Sequence, residues 1–170
     1  MTEPPDFDRL FRSVTRSADH LEMRDDYGAS SPAFAAWRES QPYDRSRPDA
    51  AWHALVGSVT GRGATVRRAR VVSEPLSDYI RFEYEVTPAA NLAAGEQVRW
   101  LPRRQASDLA LPGNDFWLFD GAAVLFNYFS GDGKMTGMEL RDDPAVVGLC
   151  ASAFEAVWDR AVPHGDYRPA

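Results

Sequence analysis

Residues 50–72 constrain the fold more than any other stretch of the chain. Trp52, Leu55, Val56 and Val59 recur at helical spacing, Gly61 and Gly63 follow, and residues 64–72 are rich in β-branched side chains. Apolar positions three and four apart share one face of a helix. Glycine ends such a helix because it takes the left-handed cap conformation at little cost. A helix stopped by glycine and followed by a buried strand is an α/β element. It predicts an α/β fold: a single mixed sheet carrying helices on both faces.

The flanking segments fill in this plan. Phe7, Leu10, Phe11 and Val14 predict a helix over 6–16, and alternation of Leu21, Met23 and Asp25 predicts a short strand over 20–27. Ser31-Pro32 places a capping hydroxyl before a proline at the first helical position, so a helix runs to about Ser40. Residues 41–49, rich in proline and charge, read as a linker. Residues 1–49 thus form an N-terminal helical and strand cap with its linker, and 50–170 the α/β core, within one structural domain.

Residues 73–95 admit two readings. Ile80, Phe82, Tyr84 and Val86 alternate as in a strand, yet Ser73-Glu74-Pro75 starts a helix whose stripe holds Leu76, Tyr79, Ile80 and Glu83. Helix is preferred, with a second short helix opened by Thr87-Pro88 and closed by Gly95. A strand over 96–101 and a loop over 102–113 follow. A hairpin of strands over 115–120 and 123–129 turns at Gly121, and a third strand spans 134–140. Asp142-Asp143-Pro144 opens a last helix that buries Val146, Leu149, Cys150, Ala153, Phe154, Val157, Trp158 and Ala161 and stops at Pro163.

Several classes of function are disfavoured at once. Cys150 is the only cysteine, so no internal disulfide can form. The acidic opening Met1-Thr2-Glu3-Pro4-Pro5-Asp6 does not read as a signal peptide, and no apolar run is long enough to span a bilayer. A cytoplasmic protein without membrane contact is expected. His20, His53 and His164 lie far apart and outside metal-ligand spacing. There is no Gly-x-Ser-x-Gly elbow, and Cys150 falls on an apolar stripe. Gly61-Arg62-Gly63 follows a helix where a phosphate-cradling loop would precede one. No catalytic, cofactor-binding or metal-binding residue is assigned.

Charge is unevenly placed. The net charge is −6, yet residues 62–104 hold eight arginines against five acids. Within Arg67-Arg68-Ala69-Arg70, Arg68 and Arg70 lie on one face of a strand, about 7 Å apart. Their repulsion is roughly 0.6 kcal/mol in water-like surroundings and about 2.4 kcal/mol at an effective dielectric constant of about 20. Burial therefore calls for anions: nearby Glu74 and Asp78, or a bound phosphate or carboxylate. A second segment runs from Leu111 to Gly121, where Asn114 and Asp115 stand at the entry to a core strand. The simpler account gives these two residues to a turn, Asp120-Gly121 to the hairpin and the aromatics to the core. Arg68, Arg70, Arg99, Arg103, Arg104, Asn114 and Asp115 are the candidate ligand- or partner-binding residues.

At these segments, joined by Ser73-Glu74-Pro75-Leu76-Ser77-Asp78-Tyr79, the chain resembles an actinobacterial domain family of unknown function. Its members are often encoded beside Xre-type helix-turn-helix regulators. His20-Leu21-Glu22, Arg68-Ala69-Arg70-Val71-Val72, residues 91–102 and Ala153-Phe154-Glu155-Ala156-Val157-Trp158 extend the likeness over nearly the whole chain. The resemblance implies no activity. More remotely, the second half is similar to one repeat of the phospholipase D-like fold, by a strand ending at Leu101, then residues 116–121 and a strand reaching Asn127. Active members of that fold carry His-x-Lys seven and five residues before the aspartate. Gly113 and Asp115 occupy those positions here, so the resemblance implies a non-catalytic version.

The expected function is a non-enzymatic regulatory or interaction protein. It would act with an Xre-type helix-turn-helix regulator or sense a small anionic ligand held by the arginines. One alternative is a hydrolase using Asp115 and Asp120; another is nucleic-acid binding through the arginine patch, although the net acidity makes direct nucleic-acid contact the less expected. Alanine at both Arg68 and Arg70 separates the readings. Weakened binding with an unchanged melting temperature marks a site for a partner or anion, whereas a large fall marks internal ion pairs.

Overall fold

The computed structural model describes residues 5–27 and 31–170. Asp6 caps α1 (Phe7–Ser13) by accepting from the Arg9 amide. β1 (Ser17–Glu22) follows, then α2 (Pro32–Arg38), capped by Ser31 as its sequence predicts, and α3 (Ser46–Thr60). β2 (Thr65–Val72) leads to α4 (Asp78–Ala90), where Ser77 caps the Ile80 amide. β3 (Gln97–Pro102), β4 (Phe116–Phe119), β5 (Ala123–Phe129), β6 (Met135–Arg141), α5 (Pro144–Arg160) and the two-residue β7 (Val162–Pro163) complete the order.

The seven strands form one mixed sheet in the order β6-β5-β4-β1-β2-β3-β7. β1, β2 and β3 are parallel, while β4 runs antiparallel to β1 and opens a β4-β5-β6 meander. α5 covers one face, where Cys150, Phe154, Val157 and Trp158 meet Leu21, Ala69, Val71, Phe116 and Leu118. α1 and α3 cover the other, packing Phe11, Leu55, Val56 and Val59 on Ala18, Val66, Trp117 and Leu125. α4 sits beside them over Val72, Val98 and Trp100. The mixed sheet with helices on both faces is thus as the sequence predicts. Among the described residues, no helix is long and apolar enough to cross a membrane.

Four details differ from expectation. β1 spans residues 17–22, not 20–27, and lies mid-sheet, so residues 1–49 supply a central strand as well as covering helices. α3 begins at Ser46, inside the expected linker; Pro48 falls in its first turn, where its missing N–H is no loss. α4 starts at Asp78 under the Ser77 cap, not at Ser73-Glu74-Pro75, and runs unbroken through Thr87-Pro88; Asn91 and a short 3-10 turn (Leu92–Ala94) lead to Gly95 at φ 95°. The strand-like alternation within α4 arises because the helix is buried on two sides. Ile80 meets the sheet cluster, while Phe82 meets Phe34 of α2. β7 was not foreseen, since Pro163 reads as a helix stop.

Asp120 holds the β4–β5 turn against the entry to β1. Its carboxylate accepts from the amides of Thr15, Arg16 (2.7 Å) and Ser17 (3.0 Å) and from the Thr15 hydroxyl (2.9 Å). The residue itself is left-handed, at φ 54°. Partial desolvation would raise its pKa, but these backbone donors hold it below the usual aspartate range. Asp120→Ala strands the donors and should cost about 2–3 kcal/mol in urea unfolding. Asp120→Asn keeps an acceptor and tolerates the left-handed backbone, so it should cost less. A depressed carboxylate stabilises fully above its unfolded-state pKa, and the benefit is lost as pH falls through the folded value. The Asp120→Ala deficit should therefore shrink in acid; a pH-independent deficit would contradict the clasp.

Candidate functional site

The site is built on the face of β1 and β2 that meets α3 and α4. Side chains alternate along a strand, so His20 and Glu22 share this face, as do Arg68 and Arg70. The parallel register sets His20 beside Arg68 and Glu22 beside Arg70. Arg68 donates through Nη1 to Glu22 and through Nε to Glu96 at 2.6 Å. Arg70 donates through Nη2 to Glu83 of α4 at 2.8 Å. Its Nε lies 2.7 Å from Glu22 Oε2 but out of line for a hydrogen bond, so that contact is coulombic. The result is a chain of alternating charge, Glu96–Arg68–Glu22–Arg70–Glu83.

Magnitudes explain why the arginines tolerate burial. Their mutual repulsion is about 2.4 kcal/mol at an effective dielectric constant of about 20, whereas one carboxylate about 4 Å from a guanidinium contributes about 4 kcal/mol of attraction. Burial alone would raise the Glu22 pKa, but Arg68 and Arg70 hold it well below the usual glutamate range. Desolvation would likewise lower both arginines, and Glu22 with its fellow carboxylates more than compensates. Glu96 also accepts from Trp52 Nε1 (3.0 Å) and Asn91 Nδ2 (2.6 Å). Aromatic faces flank the cations: Trp52 and Trp117 lie 5.7 and 5.6 Å from the Arg68 guanidinium, and Trp100 lies 4.9 Å from that of Arg70.

His20 stacks on Trp117, with ring centroids 4.2 Å apart and 5° between planes. Its Nδ1 lies 2.8 Å from the Phe116 carbonyl and its Nε2 3.2 Å from Glu22 Oε1. With Nδ1 donating to the carbonyl, the Glu22 contact is a hydrogen bond only in the doubly protonated ring. Asp115, buried at the head of β4, accepts from the Met23 amide at 2.8 Å and from the Tyr27 hydroxyl. Burial raises the pKa of both Asp115 and Tyr27.

Above this polar floor lies a cavity of about 790 Å³. Phe7, Tyr27, Trp52, Tyr79, Trp117 and Phe129 supply aromatic wall, with Met135 and Met138 on the β6 side. His20, Glu22, Arg68, Glu83 and Asn127 line it with polar groups, and Lys134 stands at the lip, 3.1 Å from Asp132.

The predicted site residues do not gather here as a set. Arg68 lines the cavity, while Arg70 and Asp115 are buried beneath or beside it, bound to Glu83 and Tyr27. Arg99 faces α5 on the opposite side of the sheet, donating to the Trp158 carbonyl at 3.0 Å. Arg103 clasps strand ends, reaching the Met23 and Val71 carbonyls, Ser73 and Asp25. Arg104 joins it at a separate cavity of about 540 Å³ beside Ser73 and Pro75. Asn114 is exposed. Asp115 and Asp120 stand at opposite ends of β4, and the four intervening residues separate them by roughly 16 Å along the strand.

Sequence reasoning also sought the wrong anions. Glu74 instead accepts from the Tyr167 hydroxyl at 2.6 Å, and Asp78 is exposed. The partners are Glu22, Glu83 and Glu96. Two signals could have found the first two: His20-x-Glu22 on one strand face, and an acid at position 83 on an otherwise apolar helical stripe; none marks Glu96.

Each acid or base of the floor is hydrogen-bonded or ion-paired to a neighbour, and the Cys150 thiol is buried on the sheet-facing side of α5 with its pKa pushed up to about 11. Among the described residues no group of three or more His, Cys, Asp or Glu could hold a metal ion. Arg70→Ala leaves Glu22 and Glu83 without their shared cation and should cost about 3–5 kcal/mol of stability by denaturant unfolding. A loss under about 1 kcal/mol would show that the pairing is not structural.

None of the curated proteins matches the chain. The family model described as Domain of unknown function (DUF6879) matches residues 5–169, from α1 to the tail beyond β7, and the chain belongs to that family.

Proposed function

We propose that this domain is a non-catalytic module that binds a small molecule and reports it to a partner, an Xre-type helix-turn-helix regulator. The observation that carries the reading is the aromatic cavity of about 790 Å³ over a polar floor whose charges answer one another. Its size falls within the range typical of small-molecule sites, about 300–1,000 Å³. Its place, near the carboxyl ends of parallel strands, is where open α/β sheets commonly bind ligands.

The same floor argues against the other readings. Two guanidiniums among three carboxylates have no net positive charge to offer an anion or a nucleic acid. The separation of Asp115 from Asp120 leaves the proposed hydrolase pair without a shared substrate position. The sequence resemblance to the phospholipase D-like fold fits a binding role, because Gly113 and Asp115 stand where active members of that fold carry their nucleophile and lysine. Asp120 then serves the turn, holding the backbone of residues 15–17 and the Thr15 hydroxyl. The regulator rests on the family resemblance, and the net charge of −6 suits contact with a basic protein better than contact with DNA.

A chemically broad metabolite library screened by thermal shift tests the binding reading, with Met138→Trp as the cavity-filling control. A true ligand at 100 times its Kd adds about 2.7 kcal/mol of stability, and Met138→Trp should abolish that gain. No stabilising compound, or stabilisation that Met138→Trp leaves intact, would overturn the proposal.

A further inference from the structure

Among the described residues Asn127 is the one amide side chain lining the cavity, and no other described side chain or backbone group bonds that amide. It lies on β5 facing the α3 side, paired across the sheet with Met138 of β6. Its backbone N–H donates to the Asp115 carbonyl at 2.9 Å. Its side chain, in a residue only 7% exposed, has no hydrogen-bond partner among the described residues and borders the cavity. An amide carries two donors and an acceptor, and here the fold leaves them to the cavity rather than to a protein partner. Asparagine is also poorly suited to a strand interior. An apolar residue would serve β5 better, as Leu125 does on the same face.

The other lining groups restrict what could satisfy it. Two guanidiniums among three carboxylates leave the floor with one negative charge in excess, which repels an anion, and each carboxylate already holds a guanidinium, so a cation would have to displace one. Lys134 at the lip is already paired with Asp132. The occupant is therefore neutral. Trp52, Trp117, Tyr79 and Phe129 present ring surfaces, which favour a flat π-system over a sugar or an aliphatic chain. The amide asks for a donor and an acceptor side by side on the ligand edge, as asparagine meets on adenine.

From the unpaired Asn127 amide within this aromatic cavity, we infer that the domain binds a planar heteroaromatic of the aminopurine type, read by a bidentate hydrogen bond to Asn127. The inference rests on the small-molecule reading above and gives it a ligand class.

Calorimetric titration of the full chain with adenine and with purine, which lacks the exocyclic amine, tests it. The wild type should bind adenine roughly tenfold or more tightly than purine. Asn127→Leu should lose about that factor for adenine, cease to distinguish the two, and melt no lower than the wild type. Equal affinity of the wild type for both compounds overturns the inference even if the variant fails to fold. So does full adenine affinity in a folded Asn127→Leu. If adenine does not bind while another compound stabilises the protein in a Met138→Trp-sensitive way, the ligand class is wrong and the cavity reading stands. If nothing in the library binds, both fall.

Discussion

The carboxylate of Glu22 is the interaction on which the rest of this structure turns. Two guanidiniums on the adjoining strand are taken out of water, and isolated buried charges of that kind are prohibitively unfavourable. Glu22, at the end of β1, lies between them, and Glu96 and Glu83 complete the outer ends of the chain. Register and charge specify one another here. A one-residue slip of β1 would turn Glu22 to the α5 face and leave Arg68 and Arg70 facing apolar neighbours. The network also orients the covering layer, because Glu83 fastens α4 and Glu96 fastens both Trp52 of α3 and the turn before β3.

This internal neutralisation determines what the site can recognise. Arginines directed into an open cleft would make an anion site; arginines engaged by three carboxylates make a rigid, nearly neutral floor. What remains above it is ring surface and a single unpaired amide. His20 illustrates the same economy of contacts, with one ring nitrogen on a backbone carbonyl, the other on Glu22 and one face against Trp117. Such a floor is preorganised for recognition, since its polar groups need no rearrangement when a ligand enters.

Much of the architecture was legible in the chain because local chemistry and tertiary packing agree. Ser31 caps α2, Gly95 takes the left-handed turn, and Asp143-Pro144 opens α5 with its predicted stripe, apart from Leu149, which is exposed. Legibility failed where two buried surfaces met on one element. Both faces of β1 are covered, so Asp19 and His20 are buried polar residues that erase the alternation of a half-exposed strand. The polar floor of the cavity was half legible. The paired parity of Arg68 and Arg70 correctly called for anions, but proximity in sequence favoured Glu74 and Asp78. The true partners lie on β1, α4 and the turn before β3, and only the fold brings them together.

The ionisation of Glu22 tests the account at its centre. The side-chain carboxyl carbon of Glu22 can be followed by NMR in the folded protein from neutral pH down to about 3. The account predicts that its signal stays at the ionised position through the usual glutamate range and moves only with unfolding. A midpoint at or above the ordinary glutamate value would mean that Arg68 and Arg70 are not neutralised by it, and the internally paired floor would have to be abandoned.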